Sequence, residues 1–552
     1  MTGSNKPQPL DSFAVATLAD VLRRNRDFHS VEPAYIFRDH DGTERGLNWG
    51  ELWSSAAMLA AGIADRFGAG RKVMLVIEPG LQFVELFFAI GLAGSVPVPM
   101  SSRFGAGSMQ RLRQVCAGSQ IDGLIFDAAN EKFVADVLKN IEKRIAPATI
   151  RADLLATSSP AGALPEPSPV AFVQYTSGST GAPRGLAITH ANLLRNLSLM
   201  AAICEAEVGE KTVSWLPPHH DFGLIGGILF PAYLCGTAVL FSPTSFVRRP
   251  GTWLELISRY RAAFTGSPNF GFDLAARRAG NIEGLDLTSL RAAINGAERV
   301  DPETLRNFGD KFSAVGLNPS VIRPCYGLAE ATLLVAGARA KPWRSVYASR
   351  RGLEEGRMDI LGDVSDPSNV VELVANGSPV VDGLIVVKDG EAVPDGQVGE
   401  IWIADACVSA TVEKQSHSAD PSPNWIATGD LGALFEGELF IAGRAKDLVI
   451  RAGINVYLGD VDAVVAQIVP AAGTPSVCAF RVPDTEEIAI IIEQKRSAAI
   501  KPTLLEDIHA LFHATFGFAA FAVQFVPPGT IPRTTSGKKQ RHLCAPLLGL
   551  ID

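Results

Sequence analysis

The chain has 552 residues, with 50 Lys+Arg against 58 Asp+Glu and a formal net charge of −8, which argues against a nucleic-acid binder that works by global positive charge. Hydrophobic residues at 47% and charged residues at 20% are ordinary globular usage and exclude wholesale disorder. Seven widely spaced cysteines form no CxxC pair, so neither a disulfide framework nor a Cys-rich zinc site is suggested.

Met1 to Leu10 is polar and lacks the apolar segment of a secretory signal, which makes the cytoplasm the default location. A hairpin turning at Asp41-Gly42 is expected next. Leu52, Ala56, Leu59 and Ile63 then mark an amphipathic helix over 50–67. The runs 73–77, 96–98 and 123–126 suit buried strands, with a helix over 83–92 between the first two. Strand–helix alternation of this kind predicts mostly parallel sheets covered by helices, an α/β fold. Residues 158–169 are rich in Pro, Ala and Ser and read as a surface connection. The uncharged run Gly223–Phe241 approaches the length of a membrane span. Its four glycines and Pro231 favour a buried helix, a turn and a buried strand instead.

The C-terminal part has a different pattern. Strands are expected at 447–451, 477–482, 488–493 and 522–526. Helices are marked by Val461, Val464, Val465 and Ile468, and by Leu504, Leu505, Ile508, Leu511 and Phe512. The reading is a large N-terminal domain of several subdomains over 1–442, a hinge at 443–446, and a small mobile α+β domain over 447–552.

Tyr175-Thr-Ser-Gly-Ser-Thr-Gly-Ala-Pro-Arg-Gly185 carries three glycines and four Ser/Thr hydroxyls between two apolar strands, 170–173 and 186–189. Glycines let backbone N–H groups approach a phosphate, hydroxyls add donors, and Arg184 adds charge. It is not a Walker A loop, since no GxxxxGK[ST] is present. On composition alone a flexible Gly/Ser hairpin would also fit.

This segment resembles the phosphate loop of the adenylate-forming superfamily, which includes acyl-CoA synthetases, peptide-synthetase adenylation domains, luciferases and fatty acyl-AMP ligases. Further segments resemble that superfamily in the expected order: Ser214–Gly223, Asn295–Glu298, Tyr326–Glu330, Thr428–Asp430, Gly443–Asp447 and Pro532–Lys538. The string Trp215-Leu-Pro-x-x-His-Asp-x-Gly-Leu-Ile-Gly226 is most like the fatty acyl-AMP ligases. So are Ser242-Pro243 followed by Arg249-Pro250, and Tyr326-Gly-Leu-Ala-Glu-Ala-Thr332. A stretch near 338–377, with a polar part from Arg350 to Val364, matches the position of an insertion that in that branch restrains domain motion and excludes CoA.

The resemblance implies ATP-dependent activation of a fatty acid to fatty acyl-AMP, with release of pyrophosphate. Transfer to the phosphopantetheine arm of an acyl carrier protein would follow. It implies nucleotide contacts by Thr176, Ser177, Gly178, Ser179, Thr180, Gly181 and Arg184 in the phosphate loop. Asn295, Gly296, Ala297, Tyr326 and Gly327 would lie at adenine, with Asp430 and Arg444 at the ribose. Thr176 and Glu330 would face Mg²⁺, His220 the acyl pocket, and Lys538 would bridge the carboxylate and the α-phosphate. Apolar runs Leu224–Phe230 and Phe264–Phe272 are candidates for an acyl tunnel, although Phe264, Phe270 and Phe272 taken singly read more often as core than as lining. The chain departs from the family pattern in having Arg at 184 where Lys is usual, Ile454 and Leu458 after the hinge, and Val408–Thr411 where Gly-Tyr-Trp is usual. Alternative readings are a fatty acyl-CoA ligase and a catalytically degenerate member that binds acyl-adenylate without turnover.

Overall fold

Asn48 caps the helix Trp49–Phe67 through a reciprocal pair with Glu51, and that helix buries Leu52, Ala56 and Ile63 as their spacing predicts. The computed structural model describes residues 15–101, 108–139, 141–142, 146–155, 164–177, 183–339, 341–411, 425–451, 454–469, 476–494, 503–533 and 538–549. The chain forms two compact units. The first comprises 1–343, 380–382 and 404–424, and the second 344–379, 383–403 and 425–552. The expected boundary at 443–446 falls inside the second unit.

In the first unit, four parallel strands lie in the order Val96–Pro99, Lys72–Val76, Gly123–Phe126, Ala148–Arg151. The central one is apolar throughout because both faces are covered. Val73 and Leu75 enter one core, Met74 and Val76 another. Eight further strands form a larger sheet. Its order is Leu334–Gly337, Ile322–Gly327, Ala292–Asn295, Phe264–Ser267, Lys211–Ser214, Thr237–Phe241, Pro33–Arg38 and Glu44–Asn48. The middle six are parallel and the two outer ones antiparallel. The last two form the hairpin expected around Asp41-Gly42. A third sheet pairs Val170–Ser177 with Pro183–Thr189 antiparallel.

The uncharged run is a helix, turn and strand, as expected, but its first part, Phe222–Leu229, has the wider winding of a π-helix. Glycine accounts for the tight packing here. A Cβ on Gly223 would sit 2.1 Å from the Pro217 carbonyl oxygen, and one on Gly227 2.7 Å from Ser214 Oγ. Among the described residues no helix is long and apolar enough to cross a membrane.

The second unit contains a five-stranded sheet that ends in Ile426–Phe435 and Glu438–Arg444. It also contains the expected C-terminal elements. Ser476–Arg481 pairs antiparallel with Ile488–Glu493, which pairs parallel with Ala522–Val526. Helices Leu458–Ala466 and Leu504–Phe516 cover this sheet, and their apolar faces enter one core. The insertion-like stretch folds as a hairpin, Ser345–Ser349 with Val370–Val374, and a short helix from Arg350. Arg350 is buried, although the stretch around it reads as polar. Its guanidinium lies 5.3 Å from the Phe516 ring centre and 4.0 Å from Asp460.

Two glycine substitutions test this packing by thermal unfolding. Gly223→Ala must displace backbone and should cost about 1–3 kcal/mol. Gly91→Ala, inside a helix with nothing within 4 Å of the added carbon, should be neutral or stabilising by up to about 1 kcal/mol.

Candidate active site

Parallel strands end on the same edge of a sheet, and in open α/β sheets ligands bind beyond those carboxyl ends. Four adjacent strands of the large sheet lead directly into residues singled out by sequence. Trp215–Asp221 follows Ser214, Pro268–Asn269 follows Ser267, Gly296–Glu298 follows Asn295, and Leu328–Thr332 follows Gly327. Backbone and side chains tie these loops together. Gly296 N–H donates to the Ser267 carbonyl at 3.3 Å, and Asn295 Nδ2 donates to Asn269 Oδ1 at 3.1 Å. Glu298 Oε1 accepts from the Phe270 amide at 2.6 Å, so this residue caps the helix Asn269–Arg278. Trp215 stacks on Phe246 at 3.9 Å and meets Phe270 edge-on at 5.7 Å.

The turn after Tyr326 is built under constraint. A Cβ on Gly327 would lie 2.0 Å from the Leu333 carbonyl oxygen, so only glycine allows the chain to double back there. Thr332 has φ +67° and ψ −61°, and Leu333 N–H reaches the Ala331 carbonyl at 2.8 Å. This is a γ-turn of the rare, strained hand, costly for a β-branched residue. Surrounding groups hold it. Asn196 Nδ2 donates to the Ala331 and Leu334 carbonyls, Thr332 Oγ1 donates to the Cys407 carbonyl, and the Ser409 amide donates to the Glu330 carbonyl. Glu330 is thereby fixed, with a half-buried side chain. Ser409 belongs to Val408–Thr411, the stretch that departs from the family pattern, and Cys407 immediately precedes it.

In the hairpin of Val170–Ser177 and Pro183–Thr189, which carries the phosphate-loop candidates, Thr176 pairs with Arg184. Thr176 is half-buried and Arg184 exposed. Gly178, Ser179, Thr180 and Gly181 lie outside the described residues, as does the side chain of Ser177. Gln174 Nε2 donates to the His219 carbonyl at 2.9 Å, which joins this hairpin to the histidine segment. Arg111 Nη2 donates to the Tyr175 carbonyl at 2.8 Å. Neither Arg111 nor Asn196 stood out in the sequence. Both act from distant helices, and nothing local to them signals it.

His220 Nδ1 lies 2.6 Å from Asp221 Oδ1, which orients its ring. Its neighbour His219 was not singled out, yet its Nε2 is enclosed. Burial, with His220 and Arg111 nearby, pushes its pKa down to about 3, so it is neutral. His219 Nε2, Trp215 Nε1, Gln174 Oε1 and Asn295 Oδ1 have no hydrogen-bond partner among the described residues. Such atoms cost about 1–3 kcal/mol each unless a ligand or water meets them. Of the tunnel candidates, Leu224, Ile225, Ile228, Leu229, Phe230, Phe264 and Phe272 are core residues, while Phe270 is 37% exposed.

Within the second unit, Asp430 and Arg444 are cross-strand partners in an ion pair of 2.8 Å. Asp430 is buried and Arg444 half-exposed. Gly429, at φ +73°, turns its amide onto Glu400 Oε1 at 3.1 Å and sets the bend before Asp430. Lys538 is half-buried, next to the Arg533–Lys539 bridge. No three His, Cys, Asp or Glu side chains gather into a metal site among the described residues.

A family model described as AMP-binding enzyme matches residues 22–411. The chain belongs to this family. It is 33% identical to a long-chain-fatty-acid–AMP ligase, FadD26, of Mycobacterium marinum, over 96% of each chain. It is 33% identical to a 4-hydroxyphenylalkanoate adenylyltransferase of Mycobacterium tuberculosis, over 98% of this chain and 94% of that one. A solved structure from work on fatty acyl-adenylate ligases of E. coli and L. pneumophila superimposes with a TM-score of 0.88 at 29% identity, covering 98% of this chain and 99% of that one. Among the AMP-binding enzymes the chain is most like the fatty acyl-AMP ligases.

The state of His219 gives a pH test. Its folded pKa lies below the ordinary 6.5, so its contribution to stability is complete above pH 6.5 and is lost as pH falls toward 3. His219→Gln should reduce the fall in melting temperature between about pH 7.5 and pH 5 by roughly 1–3 °C, corresponding to about 2 kcal/mol.

Proposed function

We propose that this AMP-binding enzyme joins a fatty carboxylate to the α-phosphorus of ATP, releases pyrophosphate, and passes the acyl group to the phosphopantetheine thiol of an acyl carrier protein. The observation that carries the reading is the set of loops at the carboxyl edge of the large sheet. They bring Asn295–Ala297, Tyr326–Glu330 and the His219-His220 segment to one edge of the sheet, and each loop is held by hydrogen bonds of its own. Full-length likeness to fatty acyl-AMP ligases supports it.

Both reactants are anions, and a carboxylate is a weak nucleophile. Catalysis is then alignment and charge neutralisation, and positioning alone can supply roughly 7–11 kcal/mol. Tyr326, in a strand that ends at a turn only glycine permits, offers adenine a fixed aromatic surface. The adenine edge falls to Asn295, Gly296 and Ala297. Asp430 accepts from the ribose hydroxyls while Arg444 holds its carboxylate. The phosphate loop, Thr176 through Gly181 with Arg184, takes the phosphates. Thr176 and Glu330 offer the hydroxyl and carboxylate oxygens that suit Mg²⁺, and two protein ligands fit an ion that arrives with the nucleotide. Bound there, the ion would offset phosphate charge. His220, oriented by Asp221, borders the acyl entrance near Trp215 and Phe270. Lys538 supplies the mobile cation between carboxylate and α-phosphate. The hinge at 443–446 would absorb the change of orientation between the two half-reactions.

Lys538→Ala should lower fatty-acid-dependent pyrophosphate exchange at least about 100-fold, with nucleotide binding and melting temperature unchanged. Exchange near the wild-type rate would remove Lys538 from the mechanism. Asp430→Ala should raise the KM for ATP about 10- to 100-fold, the loss of about 1.5–3 kcal/mol in charged hydrogen bonds. Mass spectrometry of products from a fatty-acid panel, with CoA and carrier protein supplied in parallel, decides the acceptor. Acyl-CoA in abundance would make the protein a CoA ligase, and no adenylate with any acid would make it a degenerate binder.

A further inference from the structure

Asp462 lies in the helix Leu458–Ala466 and is buried, yet it is the meeting point of four donors. Its Oδ1 accepts from the Ala479 amide at 2.6 Å and from Arg541 Nη1 at 3.2 Å. Its Oδ2 accepts from Arg541 Nη2 at 2.7 Å and from Lys539 Nζ at 2.6 Å. Arg541 also donates to the Ala479 carbonyl and lies 3.9 Å from Asp447. Both cations belong to the segment that begins at Lys538. On its other side that segment is tied by the Arg533–Lys539 bridge and by the Gln540 amide on the Pro532 carbonyl at 2.8 Å.

We propose that Asp462 is a positioning residue for adenylate formation: by gripping Lys539 and Arg541 it fixes the backbone from which Lys538 is presented. The inference rests on the reading of Lys538 as the adenylating cation. Adjacent residues of an extended segment project to opposite sides. Lys539 drawn inward onto Asp462 therefore leaves residue 538 the outward position. A carboxylate suits the task because two half-buried cations two positions apart would otherwise repel each other and lack a counter-charge. Lys539 and Arg541 hold the Asp462 carboxyl below the usual carboxylate range, so the grip persists across physiological pH. The same helix carries Asp460, 4.0 Å from Arg350, so one short helix links the insertion-like stretch to the segment holding Lys538.

The test separates the two half-reactions in the full-length protein. Asp462→Asn keeps the volume and removes the charge, and Lys539→Met removes one donor. Both should lower kcat for fatty-acid-dependent pyrophosphate exchange at least tenfold, with KM for ATP and fatty acid within twofold of wild type. Transfer from chemically supplied acyl-AMP to a phosphopantetheine thiol should stay within twofold. Asp462→Glu should recover part of the exchange rate. Equal loss in both half-reactions, or no loss in either, overturns the inference. If Asp462→Asn does not fold, Lys539→Met alone decides. Lys538→Ala runs beside them. If it keeps exchange activity, the underlying assignment fails. If it is inactive while Asp462→Asn and Lys539→Met are unimpaired, only the positioning role falls.

Discussion

Six neighbouring strands that run the same way must deliver their carboxyl ends to one edge, and the candidate site depends on that constraint. Residues as far apart in the chain as Trp215 and Thr332 become loop neighbours because the strands before them are parallel. The sheet is buried on both faces, so its strands are short and apolar, and polar chemistry is confined to the edge. That is where Asn295, Tyr326, Glu330 and the two histidines are found.

Close approach is the second organising feature. Gly327 lets the chain return on itself within a few residues, and Gly223 and Gly227 let the π-helix pack against the loop that carries the histidines. Strain at Thr332 is held by hydrogen bonds from Asn196 and to the Cys407 carbonyl. The energy of the strained turn is thus offset by groups far from it in sequence, an arrangement that keeps the Glu330 backbone in a set place. In the second unit the same role falls to charge. Asp430 with Arg444, and Asp462 with Lys539 and Arg541, each fix one segment of proposed functional importance through a buried carboxylate.

The helix at 49–67, the strands 72–76 and 123–126, and the C-terminal strands and helices were legible because hydrophobic period and run length are local properties. The motifs at 175–185, 326–332 and 532–538 were legible because their residue types sit at fixed short spacings. Strands within 383–403 and 426–444 fall in one unit with the C-terminal elements, a grouping that comes from packing and that no local pattern encodes. Phe264 and Phe272 lie in a run proposed for an acyl tunnel, yet as single apolar residues they read as core, and core is where they are.

What the sequence by itself determined is the class of elements, their order, and the residue types available for nucleotide chemistry. Tertiary structure alone decided which of those residues share an edge and which are held. It brought Asn196 to a turn 135 residues away and Asp462 to an arginine 79 residues away. The physical reason is that such contacts depend on how whole elements pack, and packing is a property of the folded chain rather than of any window along it.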